Sequence, residues 1–220
     1  MEDGCARRES SLGWLIARNE SETMNISMKP LAPVVVAWLL ASCSAVTPSG
    51  PTLKVATWNL EHLAAADGAG CRPRTEADYA KLRAYAAELK ADVIGLQEVE
   101  NEVAARRIFP ADAYDIVMSG QPYPAQQGQC GDDGARTFVP QRTGIVIRKG
   151  VPYTAHAPLS ALNVAADRAR PLRWGVDVSV GGETPFRILN VHLKAGCNAG
   201  YRPDDEDCPV LMRQVPVVEA

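Results

Sequence analysis

A layered α/β fold is what this sequence predicts, on two observations. A strand-like run, an amphipathic helix and a second apolar run follow one another within residues 53–97. Further on, two alternating runs, LRWGVDVSV (172–180) and FRILNVHL (186–193), are separated by a Gly-Gly turn signal.

The elements follow in order. LKVATW (53–58) alternates and reads as a strand. Residues 64–74 are an Ala/Gly-rich loop. Thr75 then opens a helix, with Asp78 three residues on as its capping-box partner. Tyr79, Leu82, Ala86 and Leu89 share one face of that helix. VIGLQ (93–97) is an apolar run short enough for a buried strand. A short helix is expected over 100–108, a strand over 114–118 and a long surface loop over 119–135. TGIVIRKG (143–150) is a strand ending in a turn. Gly181-Gly182 then predicts a two-residue hairpin between the runs 172–180 and 186–193, with Pro185 tolerable at a strand start. There is no internal repeat, P-loop or G-x-G-x-x-G.

The first 50 residues are of another kind. Lys29 precedes an apolar stretch, Leu31 to Ala41, too short to span a bilayer. It ends in Leu40-Ala41-Ser42-Cys43, which looks like a bacterial lipobox in which Cys43 carries the lipid. The expected organisation is a leader at 1–43 with the lipoprotein-type signal at 28–43, a linker at 44–52, and a domain at 53–220. This places the protein in a bacterial cell envelope, held to the membrane by a lipid anchor. Cleavage after Ala45, giving a periplasmic or secreted form, is the alternative. Beyond residue 43 four cysteines remain: Cys71, Cys130, Cys197 and Cys208. An even number in an exported chain favours disulfides. Cys197 and Cys208 share a polar loop and are expected to pair locally, which leaves Cys71 with Cys130. No C-x-x-C or Cys/His spacing supports zinc.

The formal charge is −3, and 19 basic against 21 acidic residues remain after the leader. No global basic field would therefore gather a polyanion. A phosphate-bearing substrate would have to be held by local cations or by a metal.

Three apolar runs end in polar residues: VATW in Asn59 and Glu61, VIGL in Gln97 and Glu98, RILNV in His192 and Lys194. Strand ends of a layered α/β fold converge on a rim where ligands bind. A carboxylate directly after an apolar run, as at Glu98, is costly unless paired or bound to a cation. Magnesium is held by one or two carboxylates with phosphate oxygens and water. An amide can orient the carboxylate, and an imidazole can act on a phosphate oxygen. Together these types suit metal-assisted phosphoester hydrolysis. Singly each has an ordinary explanation: an ion pair for Glu98, a rim histidine for His192, a turn for Asn59, a solvated cation for Arg142.

LKVATWNLEHL, ADVIGLQEVEN, QRTGIVIRKG and FRILNVHLKAGC, in this order, resemble the endonuclease/exonuclease/phosphatase superfamily with the deoxyribonuclease-I-like fold. The resemblance covers about residues 53–220. It implies a four-layer α/β/β/α sandwich and Mg²⁺-dependent (or Mn²⁺-dependent) hydrolysis of a phosphoester, with a phosphodiesterase or nuclease the leading reading and nucleic acid, lipid and small phosphoesters all open as substrates. By motif, Glu98 would be the main metal ligand, Asn59 would lie in the metal and phosphate shell, and Glu61 would support them. His192 would contact the scissile phosphate and Arg142 would lie near the pocket. His62 matches no functional position and reads as structural or exposed. No protein partner follows from the sequence.

The G-D-F-N and S-D-H elements of the superfamily do not occur here. The expectation is therefore an incomplete sandwich whose C-terminal strands are missing, and a chain poorly active as it stands. The alternative is a non-catalytic surface lipoprotein that retains the fold.

Overall fold

The computed structural model describes residues 52–123, 128–131, 135–168, 170–197 and 205–220. The expectations for the leader, Cys43 included, and for the linker up to residue 51 fall outside these residues.

The apolar run at 93–97 becomes β2 (Val93–Val99), which lies parallel to β1 (Val55–Leu63). Parallel neighbours need a crossover, and α1 (Glu76–Leu89) supplies it. The expected capping box starts α1: the Thr75 amide and hydroxyl both donate to Asp78 Oδ2, at 2.9 and 2.8 Å. Lys90, in the left-handed region at φ 46°, ends it. After a short α2 (Glu102–Arg106), β3 (Tyr114–Met118) and β4 (Arg142–Arg148) complete a first sheet in the order β1-β2-β4-β3, with β4 antiparallel to both neighbours. A second, antiparallel sheet holds β5 (Tyr153–Ala155), β6 (Val176–Val180) and β7 (Phe186–Asn190). Helix α3 (Cys208–Glu219) follows.

Strand alternation sorts the first sheet onto two cores. Ile94, Leu96 and Val146 face α1 and α2, packing with Tyr79, Ala86, Ala104 and Phe109. Val93, Ile145 and Ile147 face the other way, against Val176, Val178 and Val180 of the second sheet. Each fully buried aliphatic side chain contributes about 1.5–3 kcal/mol. The α/β class is as expected, and these contacts form its α/β/β part. Both expected disulfides are present, Cys71–Cys130 and Cys197–Cys208.

The structure departs from the sequence reading in several places: β5 was not expected, and β7 ends at Asn190, short of the expected 193. β1 runs five residues past Trp58. The hairpin is not a two-residue turn: Val180 pairs with Phe186, so five residues intervene. Pro185 has no amide to donate to a closer pairing. Residues 172–175 alternate like a strand but leave the sheet, because side chains satisfy their backbone. Gln121 donates to Leu172 O (2.6 Å) and accepts from Trp174 N (3.0 Å), and Asn163 accepts from Leu172 N (3.0 Å). Finally, α2 is shorter than the expected 100–108: it starts at Glu102, where Asn101 caps it by accepting from Ala104 N at 2.9 Å, and ends at Arg106.

Asp92 latches three strand ends together. Its carboxylate accepts from Lys54 N (2.7 Å), just before β1, and from Arg148 Nε (2.8 Å), at the end of β4. The Lys54 amide and then the Arg148 guanidinium hold its pKa below the ordinary 3.8. The fold thus binds fewer protons here than the unfolded chain. The stabilisation is complete above 3.8 and lost as pH falls through the folded-state value. Asp92→Asn is expected to lower the urea midpoint at pH 7, with the gap to the parent closing below pH 3.8. A gap independent of pH would show that ionisation of Asp92 is not what stabilises.

Candidate functional site

The site exists because two adjacent strands break register at the same level. β1 and β2 pair regularly up to Asn59↔Gln97 and next pair at Leu63↔Val99, so three residues of β1 oppose one of β2. Between Leu96↔Gly144 and Val99↔Arg142, two residues of β2 oppose one of β4. The consequence shows in the core. Ala56, Trp58 and Leu60 face the helices, then Leu63; Ile94 and Leu96 do so, then Val99. The phase has slipped by one residue on each strand. Regular alternation would have sent Glu98 into the helix-side core with Leu96. Instead Glu61, His62 and Glu98 adopt left-handed φ values of 44°, 58° and 61°. Each such non-glycine residue costs about 1–2 kcal/mol. Strain gathered in this way is characteristic of functional sites.

The Glu98 carboxylate is thereby turned into a cluster of polar donors. Oε1 accepts from Asn59 Nδ2 (3.0 Å) and lies 3.7 Å from His192 Nε2. Oε2 accepts from His62 N (3.2 Å) and Gln141 Nε2 (3.0 Å), and lies 3.7 Å from His62 Nε2. Asn59 is used at both ends, because its Oδ1 accepts from Glu61 N at 2.9 Å and closes the bulge. Beneath the cluster, Gln97 Nε2 donates to Asn190 Oδ1 (2.6 Å) and Thr57 Oγ1 (3.0 Å). Asn190 Nδ2 donates to Leu96 O and Gly144 O, both at 2.8 Å. Gly95 makes room, since a Cβ there would stand 2.8 Å from Asn190 Oδ1.

Burial pushes the Glu98 carboxyl upward, but the Asn59 amide and the two imidazoles outweigh it and leave the pKa below the ordinary value. Burial lowers His62, with Glu98 opposing. Burial and then Arg173 lower His192, again against Glu98. At neutral pH the centre is an ionised carboxylate between two neutral imidazoles. Its side chain is only 15% exposed. Neutral imidazoles do not balance its charge, so the donor set suits one added hard cation sharing oxygens with a phosphate and water. Among the described residues no three His, Cys, Asp or Glu side chains form a metal-binding group. A cation here would lean on one carboxylate.

The predicted residues divide. Asn59, Glu98 and His192 come together. Glu61 turns outward, accepting from Arg72 Nε at 2.6 Å with both side chains more than half exposed. Arg142 braces the rim: it donates to Gln121 O (2.8 Å) and to Glu100 O, and lies over the Tyr123 ring. His62, set aside in the sequence reading, is only 17% exposed and reaches Gln141 Nε2 at 3.0 Å. Gln141, Asn190 and Arg173 were missed. Asn190 had a signal, because it sits opposite Val176 on the apolar phase of its strand. Gln141 had none in sequence.

No protein-family model matches this chain, and no curated protein matches it. Similar solved structures include three of low identity. TDP2 from Caenorhabditis elegans is 19% identical, with a TM-score of 0.40, over 66% of this chain and 36% of that one. Humanized D. rerio TDP2 is 18% identical, with a TM-score of 0.38, over 62% and 45%. An endonuclease/exonuclease/phosphatase from Beutenbergia cavernae is 22% identical, with a TM-score of 0.37, over 67% and 39%. The match covers less than half of each of these proteins.

If Glu98 is strained, a residue without Cβ relieves it. Glu98→Gly is expected to be more stable than Glu98→Ala by about 1 kcal/mol in urea denaturation with EDTA present. Both variants lose the carboxylate, so the difference isolates the backbone. An alanine variant as stable as the glycine one would remove strain from the account.

Proposed function

We propose that residues 53–220 belong to an endonuclease/exonuclease/phosphatase-type domain acting in divalent-cation-assisted hydrolysis of a phosphoester. The observation that carries this reading is the Glu98 carboxylate: ionised, largely buried and held by amides, with no lysine or arginine within ion-pair distance among the described residues. Glu98 would hold Mg²⁺ or Mn²⁺, with Asn59 orienting it. The bound cation would supply Lewis-acid stabilisation of charge on the phosphoryl oxygens. His192 Nε2, on the Oε1 side of Glu98, is placed to donate to a phosphate oxygen in the tautomer that carries its proton there. His62 Nε2, on the Oε2 side, instead accepts from the Gln141 amide at 3.0 Å and so helps to hold Gln141 against Glu98.

Export with a lipid at Cys43 is part of the same proposal. Its support is the Leu40–Cys43 sequence and two disulfides, which suit an oxidising compartment. The phosphoester substrate, with nucleic acid one option, is set by contacts outside the Glu98 cluster.

The test begins with binding. Calorimetric titration with Mn²⁺ is expected to give one site, abolished in Glu98→Gln. In Asn59→Ala the affinity is expected to fall about 10–100-fold. Hydrolysis of bis(p-nitrophenyl) phosphate, however slow, is expected to need Mg²⁺ or Mn²⁺ and to stop with EDTA and in Glu98→Gln. Mn²⁺ binding that survives Glu98→Gln would overturn the site. Mn²⁺ binding through Glu98 with no turnover would favour the non-catalytic lipoprotein.

A further inference from the structure

Next to the Glu98 centre lies a cavity of about 350 Å³ lined by Arg168, Arg170, Arg173 and Lys194, with the rings of Tyr123 and Phe138 in its wall and no acidic side chain. Two of the cations are accounted for. Asp207 lies 2.7 Å from Lys194 Nζ and 3.9 Å from an Arg168 nitrogen. Arg170 and Arg173 have no carboxylate within ion-pair distance among the described residues. Arg170 lies 4.2 Å above the Phe138 ring. Arg173, half-buried, donates to Gln141 Oε1 at 2.6 Å. A guanidinium carries five N–H donors in a fixed fork. Arg170 is exposed and Arg173 half-buried, and their like charges on the wall of one cavity repel one another, which an anion bound between them would relieve.

We propose that this cavity is a subsite for a terminal phosphomonoester carried by the same substrate whose ester is cleaved at Glu98. The word "same" rests on the hydrolytic reading above; the anion site does not. A phosphomonoester near neutral pH carries between one and two negative charges and three acceptor oxygens, which suits two guanidinium groups lining one cavity. A backbone diester offers one charge and two such oxygens. The link to the catalytic centre is Gln141, which lines the cavity. Its Oε1 takes Arg173, and its Nε2 donates to Glu98 Oε2 at 3.0 Å. Phe138 bridges in the same way, with its ring 5.5 Å from that of His62 and under Arg170. A group held by the two arginines therefore sits one side chain away from the Glu98 carboxylate.

The experiment is calorimetric titration of the full chain in EDTA, where no turnover is read. The probes are a 5′-phosphorylated dinucleotide, its dephosphorylated counterpart and inorganic phosphate. The phosphorylated dinucleotide is expected to bind about tenfold tighter than the other two. The advantage is expected to vanish in Arg170→Ala and to be partly kept in Arg170→Lys. Arg170→Gln is the second variant should the alanine change lower the melting temperature. Equal binding of the two dinucleotides, an advantage that survives Arg170→Ala and Arg170→Gln, or inorganic phosphate binding as tightly as the phosphorylated dinucleotide would each overturn the proposal. Loss of the hydrolytic reading would appear separately, as Mn²⁺ binding that does not depend on Glu98.

Discussion

One buried amide holds the two sheets in the alignment the site requires. Asn190 closes β7, yet its side chain donates to Leu96 O and Gly144 O of the first sheet and accepts from Gln97. Elsewhere the sheets meet through aliphatic side chains, which pack without direction. The Asn190 bonds have direction, and losing them would strand buried polar groups at about 1–3 kcal/mol each. Gln97 adjoins Glu98, and Asn190 precedes His192 by two residues. The clasp that fixes sheet against sheet therefore also fixes the imidazole against the carboxylate. Gly95 is part of the same constraint, since a side chain there would occupy the space of Asn190.

Above the clasp, the paired bulges solve a phase problem. A strand that buries Ile94 and Leu96 on one face must, by alternation, bury the next even residue there too. An ionised Glu98 in that core would be unpaired and strongly destabilising. The left-handed residue at 98 removes the carboxylate and admits Val99 in its place. β1 makes the matching adjustment over Glu61 and His62, which keeps Leu63 in the core. Local strain is thus offset by two buried aliphatic side chains, and the strained residues end up together at the site.

This explains what was legible in the sequence. Alternation and helical period reveal which segments are buried, so β2, α1, β4, β6 and the start of β1 could be read directly. The polar residues ending those runs, Asn59, Glu98 and His192, were conspicuous because they interrupt a period. A bulge leaves no such mark, because its strain is held by tertiary contacts. His62 therefore read as structural or exposed. Gln141 lies in a loop and matters only through Glu98, Arg173 and His62, which are distant in sequence. Arg142 is a different case: it is a cation beside the site that spends Nε and Nη1 on Gln121 O and Glu100 O.

Charge distribution follows the same logic of local over global. A chain of formal charge −3 cannot attract a polyanion by its overall field. What it can do is concentrate cations where neighbouring low-dielectric walls strengthen their effect. Residues 166–175, ADRARPLRWG, place three arginines within six positions. The backbone of 172–174 is held outside the sheet by Gln121 rather than by strand pairing. A strand would have alternated side chains between two faces. The side-chain-supported loop instead presents Arg170 and Arg173 to one cavity. The departure of 172–175 from strand geometry is thus the backbone counterpart of the Glu98 bulge. In both places the regular ladder is given up where charged groups must converge, and amide side chains, Gln121 here and Asn59 there, take over the backbone's hydrogen bonds.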